Sequence, residues 1–175
     1  KNLEKAVKNN VKIELQYKTP EKEGDYKICP LKIIFFDGFW YLLARVDGKE
    51  WIIKFRLENI TNVALLDEYF IPPRNLNTFL DQSVNIWFTE KRDKQVVLKV
   101  DKEAASYFKQ QVYFPLQKIT KENRDGSLRI ETKICHNEEI IYTILRWIPH
   151  VHVIKPKCLK KEIKEKITEY LKALK

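Results

Sequence analysis

The sequence predicts a mixed α+β protein in which a small β-rich domain precedes a domain of alternating strands and helices. Two observations support this prediction. Short apolar runs separated by Asp-Gly pairs fill the first part of the chain, and Asp-Gly is a strong signal for a two-residue hairpin turn. Further along, strand-like runs alternate with apolar residues at helical spacing, which is typical of an α+β domain.

The first domain begins with a short helix, because Leu3, Ala6 and Val7 recur at helical spacing. Alternation of apolar and polar residues then predicts a strand at 11–17. Apolar runs separated by Asp37-Gly38, Asp47-Gly48 and polar residues predict four more strands, at 26–36, 39–46, 50–57 and 61–66. Five short strands in this order are expected of a small SH3-like or Sm-like β-barrel.

Residues 71–92 open with Ile71-Pro72-Pro73 and lose the strand pattern, so they are predicted to be a linker with one short helix around Leu76 to Leu80. The linker separates a first domain at 1–70 from a second at 93–175. The second domain is predicted to contain strand 95–100, helix 102–110, strand 112–120, strand 127–135, helix 138–147, strand 150–154 and helix 159–174. This βαββαβ order is ferredoxin-like, and the last helix is an addition to it.

Composition indicates a cytoplasmic protein. The 175 residues include three cysteines without CxxC spacing, no apolar run of membrane-spanning length and no leader of signal-peptide form. The chain starts at Lys1 and has no methionine, so we expect a missing N-terminal part. The net charge is +9, of which residues 72–175 carry +8; a polyanionic partner would fit this balance, but a solvated lysine-rich surface is the commoner explanation.

A two-residue turn at Asp47-Gly48 would fix the pairing of the central strands, with Val46 opposite Lys49 and Phe39 opposite Arg56. One face would then be wholly apolar and form the core, with Trp40, Leu42, Ala44, Val46, Trp51, Ile53, Phe55 and Leu57. Aromatic rings and cations would be interleaved on the opposite face, which would hold Phe39, Tyr41, Leu43, Arg45, Glu50, Ile52, Lys54 and Arg56.

The interleaved face suits a nucleotide or single-stranded nucleic acid, because bases stack on aromatic rings while phosphates pair with cations. Arg56 could also bind a phosphate bidentately. The alternative is an ordinary amphipathic surface whose charge pairs contribute only to stability. Tyr17 ends its strand in phase with the buried residues, so it is either a ligand donor or a tyrosine at the edge of the core.

We expect neither a metal site nor a cofactor, and we do not expect the protein to be an enzyme. His150 and His152 point the same way on a predicted strand, but no ligand pair has structural-zinc spacing. The chain has no GxSxG motif and no glycine-rich phosphate loop, and three of its four glycines lie in the Asp-Gly turns.

Four motifs follow one another along the first domain: Ile13 to Tyr17, Pro30-Leu31, the run Phe39-Trp40-Tyr41-Leu42, and the run Lys54-Phe55-Arg56-Leu57-Glu58-Asn59-Ile60. Together these motifs resemble the WYL family. The second half is similar to the extension that often follows this domain, through Val96 to Val100, Asp125-Gly126-Ser127 and Val151 to Leu159.

The resemblance implies a bacterial transcription regulator in which a winged-helix DNA-binding domain precedes an Sm-like sensor of nucleotides or single-stranded nucleic acid, commonly as a homodimer. By position, Tyr17 and Arg56 match polar residues of the family's pocket, and Lys27 lies near its basic position. Asn59 stands where a second arginine is common in the family, so the resemblance implies fewer cations near the pocket of this chain than is usual. A dimerisation or protein-interaction module without a small ligand remains the alternative.

Overall fold

A computed structural model describes residues 2–89 and 91–174. The chain forms two compact units, Lys1–Asp81 and Gln82–Lys175. The boundary falls within the predicted linker. Each unit has its own hydrophobic core and is described separately below.

The first unit is an antiparallel five-stranded sheet with the strand order β4-β3-β2-β1-β5. Its elements are α1 (Asn2–Asn9), β1 (Val11–Lys18), β2 (Glu23–Phe36), β3 (Phe39–Val46), β4 (Ile52–Arg56), a 3-10 turn (Leu57–Asn59), β5 (Ile60–Tyr69) and α2 (Leu76–Asp81). All five predicted strands are confirmed. Within the described residues β4 does not pair with β5, so the sheet is open and is not a closed barrel.

The first predicted hairpin turn is confirmed. Phe36 pairs with Phe39, which leaves only Asp37 and Gly38 in the loop. Their φ angles are 51° and 85°, and two positive values in succession are what a type I′ turn requires. Asp tolerates this conformation and Gly adopts it without steric cost.

The second hairpin differs from the prediction. The Lys49 N–H does donate to the Val46 carbonyl at 2.9 Å, as in a tight turn, but β4 starts only at Ile52. Tyr41 therefore pairs with Arg56, so the predicted pairing of Phe39 with Arg56 is wrong by two residues. Because side chains alternate with a period of two, a shift of two leaves every paired residue on its predicted face.

The first core lies between the inner face of the sheet and α1, and it contains Ala6, Ile13, Leu15, Ile28, Leu42, Ala44 and Phe55. Trp40 and Trp51 were expected in this core but are 55% and 57% exposed. Trp40 lies beside the β2–β3 turn, where its ring contacts Phe35 at 5.1 Å, and Trp51 lies in the loop before β4. Both positions are beyond the part of the sheet that the core covers.

The second unit has the βαββαβ order predicted from the sequence. Its elements are β6 (Lys94–Val100), α3 (Lys102–Gln110), β7 (Lys118–Glu122), β8 (Leu128–Ile134), α4 (Glu138–Arg146), β9 (Val151–Lys155) and α5 (Lys157–Ala173). The antiparallel order β7-β8-β6-β9 places the first strand beside the last, as in a ferredoxin-like sheet. Apolar residues of the sheet, α3, α4 and α5 form one core.

The strand expected at 112–120 begins only at Lys118. Pro115 has no N–H to donate to a strand ladder, and Leu116 has a φ of 49°, outside the strand region. The side chain of Gln117 stabilises the resulting loop, because its Oε1 accepts from the Tyr113 N–H at 3.0 Å and its Nε2 donates to the Phe108 carbonyl at 3.1 Å.

A buried ion pair holds the start of the second unit. Arg92 is 5% exposed, Glu139 is fully buried, and the Arg92 Nη2 donates to Glu139 Oε1 at 2.9 Å. The second carboxylate oxygen accepts from the Cys135 N–H at 2.7 Å, and Arg92 also donates to Ser83 Oγ at 2.9 Å. The pair therefore fixes the residues ahead of β6 to the N-terminus of α4.

Across the described residues, no helix is both long and apolar enough to span a bilayer.

The three cysteines are expected to differ in reactivity. Cys29 and Cys135 are buried, whereas Cys158 is exposed on α5. Burial raises the pKa of the Cys29 thiol, and Cys135 Sγ contacts the backbone of Thr89. We predict that a thiol reagent such as DTNB labels one cysteine quickly in the folded protein and all three after denaturation. Cys158→Ser should abolish the fast phase; fast labelling of two thiols in the native state would contradict the prediction.

Candidate ligand-binding face

The outer face is the side of β3 and β4 opposite the first core. Its paired positions are Tyr41 with Arg56, Leu43 with Lys54, and Arg45 with Ile52, and Phe39 precedes Tyr41 on the same side. The residues that the sequence predicted to share a face therefore do so, apart from Glu50, which lies in the loop before β4.

One half of the outer face combines aromatic rings with cations. The guanidinium carbon of Arg56 lies 3.9 Å from the centroid of the Phe39 ring, which is a cation–π contact. Tyr41 is half-buried and lies directly opposite Arg56. Lys54 precedes Arg56 by two residues and therefore lies on the same side of β4. Phe39, Tyr41, Lys54 and Arg56 are named here the open half.

Arg56 also forms an ion pair with the carboxylate of Glu58, in the 3-10 turn that follows β4. Sequence reasoning missed this residue. Its signal was a glutamate two positions after the arginine, close enough for the two side chains to meet where the strand ends. An anion that binds Arg56 must compete with Glu58.

The segment that follows β5 contacts the other half of the outer face at Arg45. Arg45 Nη2 donates to the Ile71 carbonyl at 3.0 Å, and Lys32 Nζ donates to Asn77 Oδ1 at 2.9 Å. The first contact places the Ile71 backbone beside the outer face, and the second ties Asn77 to the neighbouring strand β2. Leu43, between Tyr41 and Arg45 on the outer face, is completely buried. Arg45 was predicted to contact ligand, but here it holds this segment.

Tyr17 lies on the core side of the sheet. Its ring packs edge-on against Phe55 with centroids 5.1 Å apart, and its hydroxyl accepts from the Arg56 N–H and from Asn59 Nδ2, both at 3.3 Å. Tyr17 thus supports the end of β4, which carries Arg56. The sequence indicated only that Asn59 stands where an arginine is common. In the structure its side-chain amide is a hydrogen-bond partner of Tyr17.

Lys27 is not brought to the open half. Its Nζ lies 2.6 Å from Glu68 Oε1 and 3.7 Å from Asp47 Oδ2, in an ion-pair network completed by Lys12. The hydrogen bond from Lys12 lowers the pKa of Asp47, and that from Lys27 lowers the pKa of Glu68. Lys27 therefore belongs to a charge network that ties β1, β2 and β5 together.

Comparison with known families bears on this arrangement. The WYL domain model matches residues 1–65, and the WCX domain model matches residues 92–171. The chain belongs to the WYL-domain family. The open half thus lies in the WYL domain. Tyr41 is the tyrosine of the Trp-Tyr-Leu run on β3, and Phe39 directly precedes that run. The ferredoxin-like unit contains the WCX domain.

Two solved structures are similar to this WYL-domain chain. A CRISPR Cas-related protein matches with a TM-score of 0.64 and 11% identity over 98% of this chain and 49% of its own. Proteasome accessory factor B/C (PafBC) of Arthrobacter aurescens matches with a TM-score of 0.40 and 16% identity over 93% of this chain and 25% of its own. The first likeness supports the fold. This chain spans about half and a quarter of those proteins, respectively.

No curated protein matches the chain significantly.

Proposed function

We propose that this chain is the ligand-sensing region of a cytoplasmic bacterial transcription regulator, and that it acts by binding and not by catalysis. The presence of a WYL domain followed by a WCX domain supports a regulatory sensing role. In this proposal ligand occupancy alters how a preceding winged-helix domain binds promoter DNA. A ligand can shift such an equilibrium only by its difference in affinity for the two states.

The proposed ligand is a nucleotide or single-stranded nucleic acid at the open half. The observation that carries this proposal is the contact of Arg56 with Phe39 beside Tyr41. Bases stack on aromatic rings and on guanidinium planes, and each stack contributes ~1–3 kcal/mol. Lys54 and Arg56 supply positive charge for the phosphate groups on the same side of the sheet.

A titration with fluorescein-labelled single-stranded oligothymidylate, followed by anisotropy, tests the proposal. We predict that Arg56→Gln weakens binding about tenfold or more, because it removes both a phosphate contact and a stacking surface. The slope of log K against log salt should become shallower by about one. Arg124→Gln is the matched control, since Arg124 is exposed in the β7–β8 turn of the other unit.

Phe39→Ala should weaken binding without changing the salt slope, because it removes a ring and no charge. Equal losses in Arg56→Gln and Arg124→Gln would indicate general electrostatic attraction and contradict a site at the open half. Absence of binding even at low salt would argue against nucleic acid as the ligand.

Glu58→Gln is expected to tighten binding up to about fivefold. An exposed ion pair contributes ~0.2–1 kcal/mol, and the ligand no longer has to displace it from Arg56. Glu21→Gln, at an exposed site on the same unit, removes the same charge away from the open half. Similar tightening by both variants would show that overall charge, and not competition at Arg56, controls the affinity.

A second candidate function is a dimerisation or protein-interaction module, favoured by Tyr170, Leu171 and Leu174, which are exposed on and just beyond the end of α5. Exposed apolar residues grouped in this way are typical of interaction surfaces. The proposed sensor is also expected to be a homodimer, so dimerisation alone does not separate the two candidates. A dimer that forms without nucleic acid and binds none at low salt would favour the second.

A further inference from the structure

Four side chains with metal-ligating atoms meet at one end of the β6–β9 pair in the second unit. Asp101 directly follows β6, and His150 precedes β9, and the Asp101 N–H donates to the His150 carbonyl at 2.9 Å. Glu103 lies in the first turn of α3, two residues after Asp101. His152 lies on β9, paired with Lys99.

The donor atoms of Asp101, Glu103 and His150 all lie within 4.8 Å of one another. His152 Nε2 lies 2.8 Å from Asp101 Oδ2, which orients that carboxylate. Small side-chain rotations would bring the three donors to one ion, because all three side chains are exposed or half-buried and not locked in the core.

We propose that Asp101, Glu103 and His150 form a binding site for a divalent transition-metal ion, with Zn²⁺ as the favoured ion. Mixed imidazole and carboxylate ligands suit zinc and its neighbours, whereas Mg²⁺ and Ca²⁺ prefer oxygen ligands alone. Three protein ligands leave a further position for water or for a ligand from elsewhere. The site lies in the second unit and is independent of the function proposed for the outer face.

The sequence alone predicts no metal site because none of its ligand pairs has structural-zinc spacing. Asp101 and His150 are far apart in the sequence and come together only through the pairing of β6 with β9. Short-spacing motifs therefore could not reveal the cluster.

Substitution of Lys99 should change the metal affinity in the opposite direction to substitution of a ligand. Its Nζ lies 3.2 Å from Asp101 Oδ1, where it neutralises the carboxylate and would repel a bound cation. Removal of this charge in Lys99→Gln should strengthen metal binding. A variant that merely disturbed the fold could not produce this gain.

The test is titration of the full chain with Zn²⁺ against a chromophoric chelator, with circular dichroism to verify that each variant is folded. We expect one ion per chain, at least a tenfold loss of affinity in Asp101→Asn and in His150→Ala, and a severalfold gain in Lys99→Gln. His136→Ala is the matched control, because His136 is exposed elsewhere in the same unit. It should leave the affinity unchanged.

The exposed Cys158 thiol is a competing zinc ligand, and Cys158→Ser separates the two sites. The Co²⁺-loaded protein should show d–d bands without a thiolate charge-transfer band, and Cys158→Ser should bind as the parent does. Loss of binding in Cys158→Ser but not in His150→Ala would overturn the proposal, as would equal losses in His150→Ala and His136→Ala.

Discussion

Glu139→Gln is expected to destabilise the second unit by about 3–5 kcal/mol, because it breaks the buried ion pair between Glu139 and the Arg92 guanidinium. The variant also weakens the acceptor for the Cys135 N–H, which approaches Glu139 Oε2 at 2.7 Å. A buried donor without a good acceptor adds its own desolvation cost. The midpoint of urea unfolding, followed by far-ultraviolet circular dichroism, measures the effect.

Two controls define the cause of this loss. Glu138→Gln removes a carboxylate from the adjacent, half-buried position and should change stability by less than about 0.5 kcal/mol. The double variant Arg92→Met/Glu139→Met should be more stable than Glu139→Gln alone, because it removes both charges of the buried pair together. A loss in Glu138→Gln as large as that in Glu139→Gln would refute the role of the buried pair.

Phe55→Ala is expected to destabilise the first unit by about 3–5 kcal/mol through loss of a buried aromatic side chain and the cavity that remains. Phe55 packs edge-on against both Tyr17 and Tyr26, with centroids 5.1 Å and 5.4 Å apart. Edge-on aromatic pairs add stability beyond the area they bury. Unfolding in urea measures the loss here as well.

Trp51→Ala is the matched control, because it removes a larger ring that is 57% exposed in the loop before β4. It should change stability much less than Phe55→Ala. Phe55→Leu retains most of the buried volume and should recover much of the lost stability. If Trp51→Ala cost more than Phe55→Ala, the inner face of the sheet would have been assigned incorrectly.

The contrast between the two hairpins shows what a turn motif predicts and what it does not. Asp37-Gly38 fixes both the place and the length of its loop, because the flanking Phe36 and Phe39 pair directly. Asp47-Gly48 marks only the place, since Lys49–Trp51 extend the loop before β4 begins. The assignment of faces was nevertheless correct, because alternation along a strand is insensitive to a shift of two residues.

Long-range contacts explain what could not be predicted at the candidate site. Arg45 was on the predicted face but contacts Ile71, 26 residues away, and Lys27 contacts Glu68, 41 residues away. Strand alternation gives the side on which a residue lies, but not which later segment packs against it. The open half is therefore smaller than the predicted face.

The carboxylate beside Arg56 has a consequence for how the proposed sensor would respond to its effector. An internal competitor of ~0.2–1 kcal/mol raises the concentration needed for half-occupancy up to about fivefold. This increase applies equally to every phosphate compound in the cell, so it sets a detection threshold without choosing between effectors. For the proposed ligands, discrimination between effectors would then depend on the two rings, Phe39 and Tyr41, and on the shape of the base stacked against them.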